Sequence, residues 1–160
     1  MKEKGYDREK ARQYAEKWAY LRNPVYYNFD SLGGDCTNFV SQCIFAGGGI
    51  MNYTKEKGWY YQNGNDKSPS WSGVEFLYQF LRKNQSVGPY GRECLKQELQ
   101  IGDMIQLSFN GQKFAHSLFV VGNEKQISVA THTFDSYYRD LESYSYQKIR
   151  YFHIEGVRIW

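Results

Sequence analysis

GGDCTNFVSQC, residues 33–43, places a cysteine where a pair of glycines gives way to a helix. Asp35 is a favoured helix N-cap residue. Behind it, Cys36, Phe39, Val40, Cys43 and Ile44 recur at helical spacing. That single apolar stripe predicts a central helix, ended by Gly47–Gly49. Cys36 is then the first helical residue. Its thiol lies at the positive end of the helix dipole, which favours the thiolate. The first N–H groups of a helix have no acceptor inside it and can hold an oxyanion. Gly33 and Gly34 would let a substrate backbone approach closely. A thiolate beside free N–H groups is the core of an acyl-transfer site, with Gly34 and Asp35 on its oxyanion side. The competing reading makes Cys36 an ordinary core residue, and that reading suits Cys43 well.

Before this helix, Ala11, Tyr14, Ala15, Trp18 and Ala19 predict another from Asp7 to about Arg22, stopped by Asn23-Pro24. After it, residues 50–70 are polar and broken by Gly and Pro, which predicts a long loop. A third helix is expected near Ser72–Lys83, opened by a Ser72/Glu75 capping box. The period then changes. GDMIQLSF, AHSLFVVG, QISVATHT and YFHIEGVRI read as strands, with Gly122–Lys125 as the turn between the second and third. Helices first and antiparallel strands second make an α+β fold of one domain, residues 1–160.

A nucleophilic cysteine needs a base, usually histidine. His116 opens one strand of the predicted hairpin and His132 closes the other. With an odd loop length the two face each other, about 5 Å apart at Cβ, and one could orient its neighbour. With a two-residue turn, the partner of His116 is Thr131 and His132 faces away. Asp135 could also orient the base. His153, in the last strand, reads as structural.

The bulk numbers exclude several classes. A net charge of +3, with basic residues scattered, gives no nucleic-acid surface. No stretch is apolar enough for a membrane helix. The N-terminus is charged and lacks a signal-peptide core, so the chain reads as cytoplasmic as written, or as a domain of an exported cell-wall protein. Three cysteines, Cys36, Cys43 and Cys94, form no CxxC pair, so at least one thiol is free. With 15 Tyr, 10 Phe and 4 Trp, one core cannot hold every aromatic ring. Trp59 and Trp71, in the aromatic loop, are the expected walls of a substrate groove.

The residues GGDCTNFVSQ, AHSLFVVG and VATHTFD resemble the bacterial putative amidase domain family, and the likeness covers nearly the whole chain. That family is similar to papain-like cysteine hydrolases, including NlpC-type and CHAP cell-wall peptidases. The resemblance implies a papain-like fold, Cys36 as nucleophile, His116 as base and His132 as third member. It also implies a site-lining role for Tyr27, and a peptide or peptidoglycan stem peptide as substrate. It implies a monomer with no cofactor and no metal. Asp30, not glutamine, stands six residues before Cys36, so the papain-type oxyanion glutamine has no counterpart. Two rivals remain: a zinc site of Cys36, His116 and His132, and a non-catalytic peptide or cell-wall binding module.

Overall fold

The computed structural model describes residues 1–160. The chain runs β1 (Lys2–Lys4), α1 (Arg8–Trp18), α2 (Cys36–Gly48), β2 (Tyr61–Asn63), β3 (Asp66–Lys67), α3 (Pro69–Ser72), α4 (Val74–Lys83), β4 (Gly88–Cys94), β5 (Met104–Ser108), β6 (His116–Gly122), β7 (Ser128–Thr131), β8 (Ser136–Asp140) and β9 (Lys148–Ile159). This is a mixed α+β fold with a mainly antiparallel sheet. No helix is long and apolar enough to cross a membrane.

Asp7 caps α1 by accepting the Lys10 N–H at 3.0 Å. The helix stops at Trp18, four residues earlier than the sequence pattern predicts. Its last carbonyl is diverted: Trp18 O takes the Leu21 N–H and a histidine nitrogen. Ala11, Ala15 and Ala19 are fully buried against α2. The two helices cross closely because Gly47 has no side chain. A Cβ there would meet the Tyr6 ring at 2.6 Å and Asp7 O at 2.7 Å.

Helix α2 is buried on all sides from Cys36 to Ile44, not along one stripe. Its polar residues are matched by indoles: Trp59 Nε1–H donates to Ser41 and Trp71 Nε1–H to Asn38. Trp59 and Trp71 are fully buried, with ring centroids 4.8 Å apart. Both are core residues packed on α2, which corrects their expected place in a groove wall. The reason is the buried hydroxyl and amide they satisfy.

The expected third helix is two helices broken at extended Gly73. No Ser72/Glu75 capping box forms, because Glu75 turns to Arg150 instead. The predicted loop over residues 50–70 contains a small hairpin, β2–β3, and the bridge Asn52–Trp59.

The main sheet runs β1-β9-β5-β6-β7-β8, all antiparallel, with β4 on the opposite edge of β9. One face, carrying Phe119 and Val121, packs with α1 and α2 in the larger core. The other face, carrying Leu118 and Val120, builds a smaller core with Ile105, Val129 and Leu141. The β6–β7 register pairs Phe119 with Ala130 and Val120 with Val129. Continued outward, that register sets His132 beside Ser117 and not beside His116.

Candidate active site

Gly33 and Gly34 both take left-handed backbone angles, φ 89° and 101°. Gly34 also lies close to the loop after β7; a Cβ on it would sit 3.3 Å from Thr133 Oγ1. This contact holds the start of α2 against the end of β7.

Asp35 holds the N-cap position without capping the helix. Its Oδ1 accepts the Phe29 N–H and Asn38 Nδ2–H, each at 2.8 Å. Its Oδ2 meets His132 Nδ1 at 2.6 Å, with Arg22 Nε 3.7 Å away. The second His132 nitrogen, Nε2, faces Trp18 O at 2.8 Å. A carbonyl accepts only, so Nε2 donates to it, and Nδ1 shares the second hydrogen bond with the carboxyl group. The His132 ring is stacked on Phe39, with centroids 4.2 Å apart. This corrects two expectations. Asp35 faces His132 and not a substrate, and His132 orients Asp35 and the end of α1 and not His116.

Cys36 is the first residue of α2 and 6% exposed. Burial pushes its thiol up, and the Asp35 charge adds to this. The Ser117 N–H, the Thr37 hydroxyl and the Thr37 N–H act in the opposite sense. Desolvation outweighs the helix dipole, so the free protein holds a thiol and not the expected thiolate. Cys43, one repeat along α2, is fully buried in the larger core.

His116 immediately precedes Ser117. Ser117 points toward α2, its Oγ 2.9 Å from Thr37 Oγ1, so the His116 side chain leaves the opposite face. There its ring lies near Phe109 and Tyr144. Its Nε2 is 3.4 Å from Thr131 Oγ1. Thr131 Oγ1 directs its own proton to the carbonyl of His132 or Ser117, at 2.7 and 3.1 Å. It can therefore only accept from His116. This puts the His116 proton on Nε2 and leaves a bare lone pair on Nδ1, which makes no hydrogen bond. Burial, helped by the Arg139 charge, pushes His116 down to about 4, so the ring is neutral. No hydrogen bond joins it to Cys36, whose side-chain partner is Thr37 Oγ1 at 3.8 Å.

The remaining candidates fall as follows. Asp135 is held by two guanidinium nitrogens of Arg22, at 2.9 and 3.0 Å, and not by His116. Tyr27 is half exposed and packs at a tilt against Phe29, bordering a cavity of about 490 Å³. A neighbouring cavity of about 410 Å³ shares Phe29 and Leu32 with it and is lined by Gly33, Gly34, Lys113 and Ala115. It ends against the residues just before Cys36 and His116. A larger cavity, about 640 Å³, lies between α4 and residues 52–58 and touches neither. Cys36, His116 and His132 do not converge, and no group of three or more His, Cys, Asp or Glu side chains is placed to hold a metal ion. This removes the zinc arrangement.

Sequence reasoning missed Arg22, Ser117 and Gln106, none of which carries a motif. The alternative hairpin register pairs Thr131 with His116; in the observed register the two are not directly opposite, and the Thr131 hydroxyl reaches His116 across the strands.

Residues 5–155 match the model of the putative amidase domain family. The uncharacterized protein YhbB of Bacillus subtilis (strain 168) is 36% identical over 161 residues, covering 93% of this chain. The chain spans about half the length, 50%, of that relative. No solved structure matches.

Proposed function

The chain belongs to the putative amidase domain family, and from that premise we propose that it is a cysteine-dependent amide hydrolase of papain-like architecture. The observation that carries this reading is the placement of Cys36. Its thiol opens a buried helix within the influence of the Ser117 N–H, and Ser117 is the neighbour of a histidine with one unbonded ring nitrogen.

In this reading His116 Nδ1 takes the thiol proton as Cys36 Sγ attacks the substrate carbonyl. The N–H groups at the start of α2 hold the resulting oxyanion. His116 returns the proton to the leaving amine, the C–N bond breaks and a thioester remains. Water then attacks the thioester, giving up its proton through His116, and the acid is released as the thiol re-forms. A raised thiol and a lowered imidazole mean that the proton moves during attack and not beforehand. The Cys36–His116 hydrogen bond forms when substrate is bound, as is common where free-enzyme geometry is loose. Thr131 holds the ring through Nε2.

The cavity beside Gly33 and Gly34 is the proposed seat of the acyl part. Its volume of about 410 Å³ and its lysine, Lys113, suit a peptide, and a peptidoglycan stem peptide is the proposed substrate. The test is to incubate the protein with a stem peptide and with a panel of peptide p-nitroanilides. Mass spectrometry would follow acyl transfer to Cys36. Cys36→Ala should abolish the adduct and lower turnover by at least about 10³-fold. Hydrolysis undiminished in Cys36→Ala would end this reading.

A further inference from the structure

A chain of buried polar side chains leads from the protein surface to the Cys36 thiol, and each link has a direction. It begins at Arg150, whose guanidinium is sandwiched between Tyr78 and Phe114, 3.6 and 4.0 Å from their centroids. Arg150 Nε and an Nη donate to Gln106 Oε1, at 2.9 and 2.6 Å. A guanidinium cannot accept, so the amide orientation of Gln106 is set: oxygen toward Arg150, nitrogen inward. Gln106 Nε2 then donates to Val74 O at 2.9 Å and to Ser117 Oγ at 3.1 Å. Ser117 Oγ, already accepting, has one remaining partner, Thr37 Oγ1 at 2.9 Å. Gln106 and Ser117 are fully buried and Thr37 is 1% exposed. A buried hydroxyl proton without an acceptor is costly, so Ser117 donates to Thr37. Thr37 in turn has one acceptor left, Cys36 Sγ.

We propose that Arg150, Gln106, Ser117 and Thr37 form a directional hydrogen-bond relay that ends as a donor on the Cys36 sulfur and favours its thiolate. These are positioning residues, since only Thr37 touches the sulfur. Their role in catalysis rests on Cys36 being the nucleophile; their effect on the thiol does not. The relay has a function because the thiol's other surroundings oppose ionisation. Asp35 precedes it, and the His132 ring and the Arg22 charge are turned to Asp35 and not to the sulfur. His116, on β6, is neutral, and Arg139, on β8, lies beyond it. The proposed relay and the Ser117 N–H are therefore the chain's means of stabilising the buried sulfur anion as it forms.

The test is the pH dependence of Cys36 alkylation by iodoacetamide in the full chain, resolved by site with mass spectrometry so that Cys94 does not contribute. Thr37→Val keeps the shape and removes the donor. It should slow alkylation at pH 8 by about tenfold and move the profile to higher pH. Thr37→Ser should restore the wild-type profile. Arg150→Met, distant from the sulfur, should shift the profile the same way by about threefold, because it frees the Gln106 amide to turn. Ser117→Ala supplies the same reading if Thr37→Val does not fold. Superimposable profiles for wild type, Thr37→Val and Arg150→Met would overturn the relay. If that occurs while Cys36→Ala still abolishes hydrolysis, the nucleophile stands and the relay alone falls. Shifted profiles with hydrolysis undiminished in Cys36→Ala would leave the relay and remove the nucleophile.

Discussion

His116 opens β6 and His132 follows directly on the neighbouring β7, yet their surroundings are opposite. His132 is held through both ring nitrogens, by a carboxylate and a carbonyl, and is stacked on Phe39. His116 touches one hydroxyl, at a long 3.4 Å, and is otherwise wrapped in aromatic rings. The first environment gives each ring nitrogen a partner; the second lowers the ring's affinity for a proton. A residue that fastens two helices needs its nitrogens filled, whereas a proton acceptor needs one left bare. The same residue type is thus fully bonded on the helix face of the sheet and left with a free nitrogen on the other.

The largest effect should come from emptying the His132 side. Asp35→Ala leaves His132 Nδ1 and Arg22 without their shared partner. Removing one member of such a buried pair costs about 3–5 kcal/mol. Urea denaturation at pH 7 checks this, and a loss under about 1 kcal/mol would mean that the Asp35–His132 pair does not hold α1 to α2.

The next effect belongs to His116 and appears only with acid. Its folded value, about 4, lies below the ordinary histidine value of 6.5. Between the two, the unfolded chain binds the proton and the folded chain does not. Stability from neutral burial is complete above about pH 6.5 and is lost as pH falls through 4, by an amount on the order of 3 kcal/mol. His116→Gln should flatten this part of the stability–pH curve. An unchanged slope in that variant would place the titration elsewhere.

The smallest effect is at the single link His116 possesses. Thr131→Val should cost about 1 kcal/mol. It should also loosen the ring's preference for a proton on Nε2, visible in the ¹⁵N shifts of labelled histidine. A retained tautomer would show that something other than Thr131 sets it.

Much of this architecture was legible in the sequence. Capped and spaced apolar residues marked α1 and α2, and β-branched runs marked β5, β6, β7 and β9. Strands β1, β4 and β8 were not legible. Lys2–Lys4 and Gly88–Cys94 carry charges, glycine and proline, and they pair because β9 offers two edges to them. Cys36 and His116 could be singled out from local pattern, since a helix start and a strand start are local features. The fate of His132 could not. It turned on one step of hairpin register, which is decided by the irregular turn at residues 123–127 and by bulges between strands. Burial was the other hidden quantity. The tryptophans look like groove residues in a polar segment, and only the crowding around α2 shows why they are inside.

The edge pairing of β9 bears also on how this domain can be joined to others. Lys2 lies opposite Ile159 in an antiparallel pair, so the first and last strands run side by side at one margin of the sheet. Ends that emerge together can be tethered to a longer polypeptide without a connection that spans the body. The domain is in that sense portable: it could be set into a host chain as a unit, its site at the start of α2 undisturbed, while a cut that removes β1 would loosen the margin from which β9 is held.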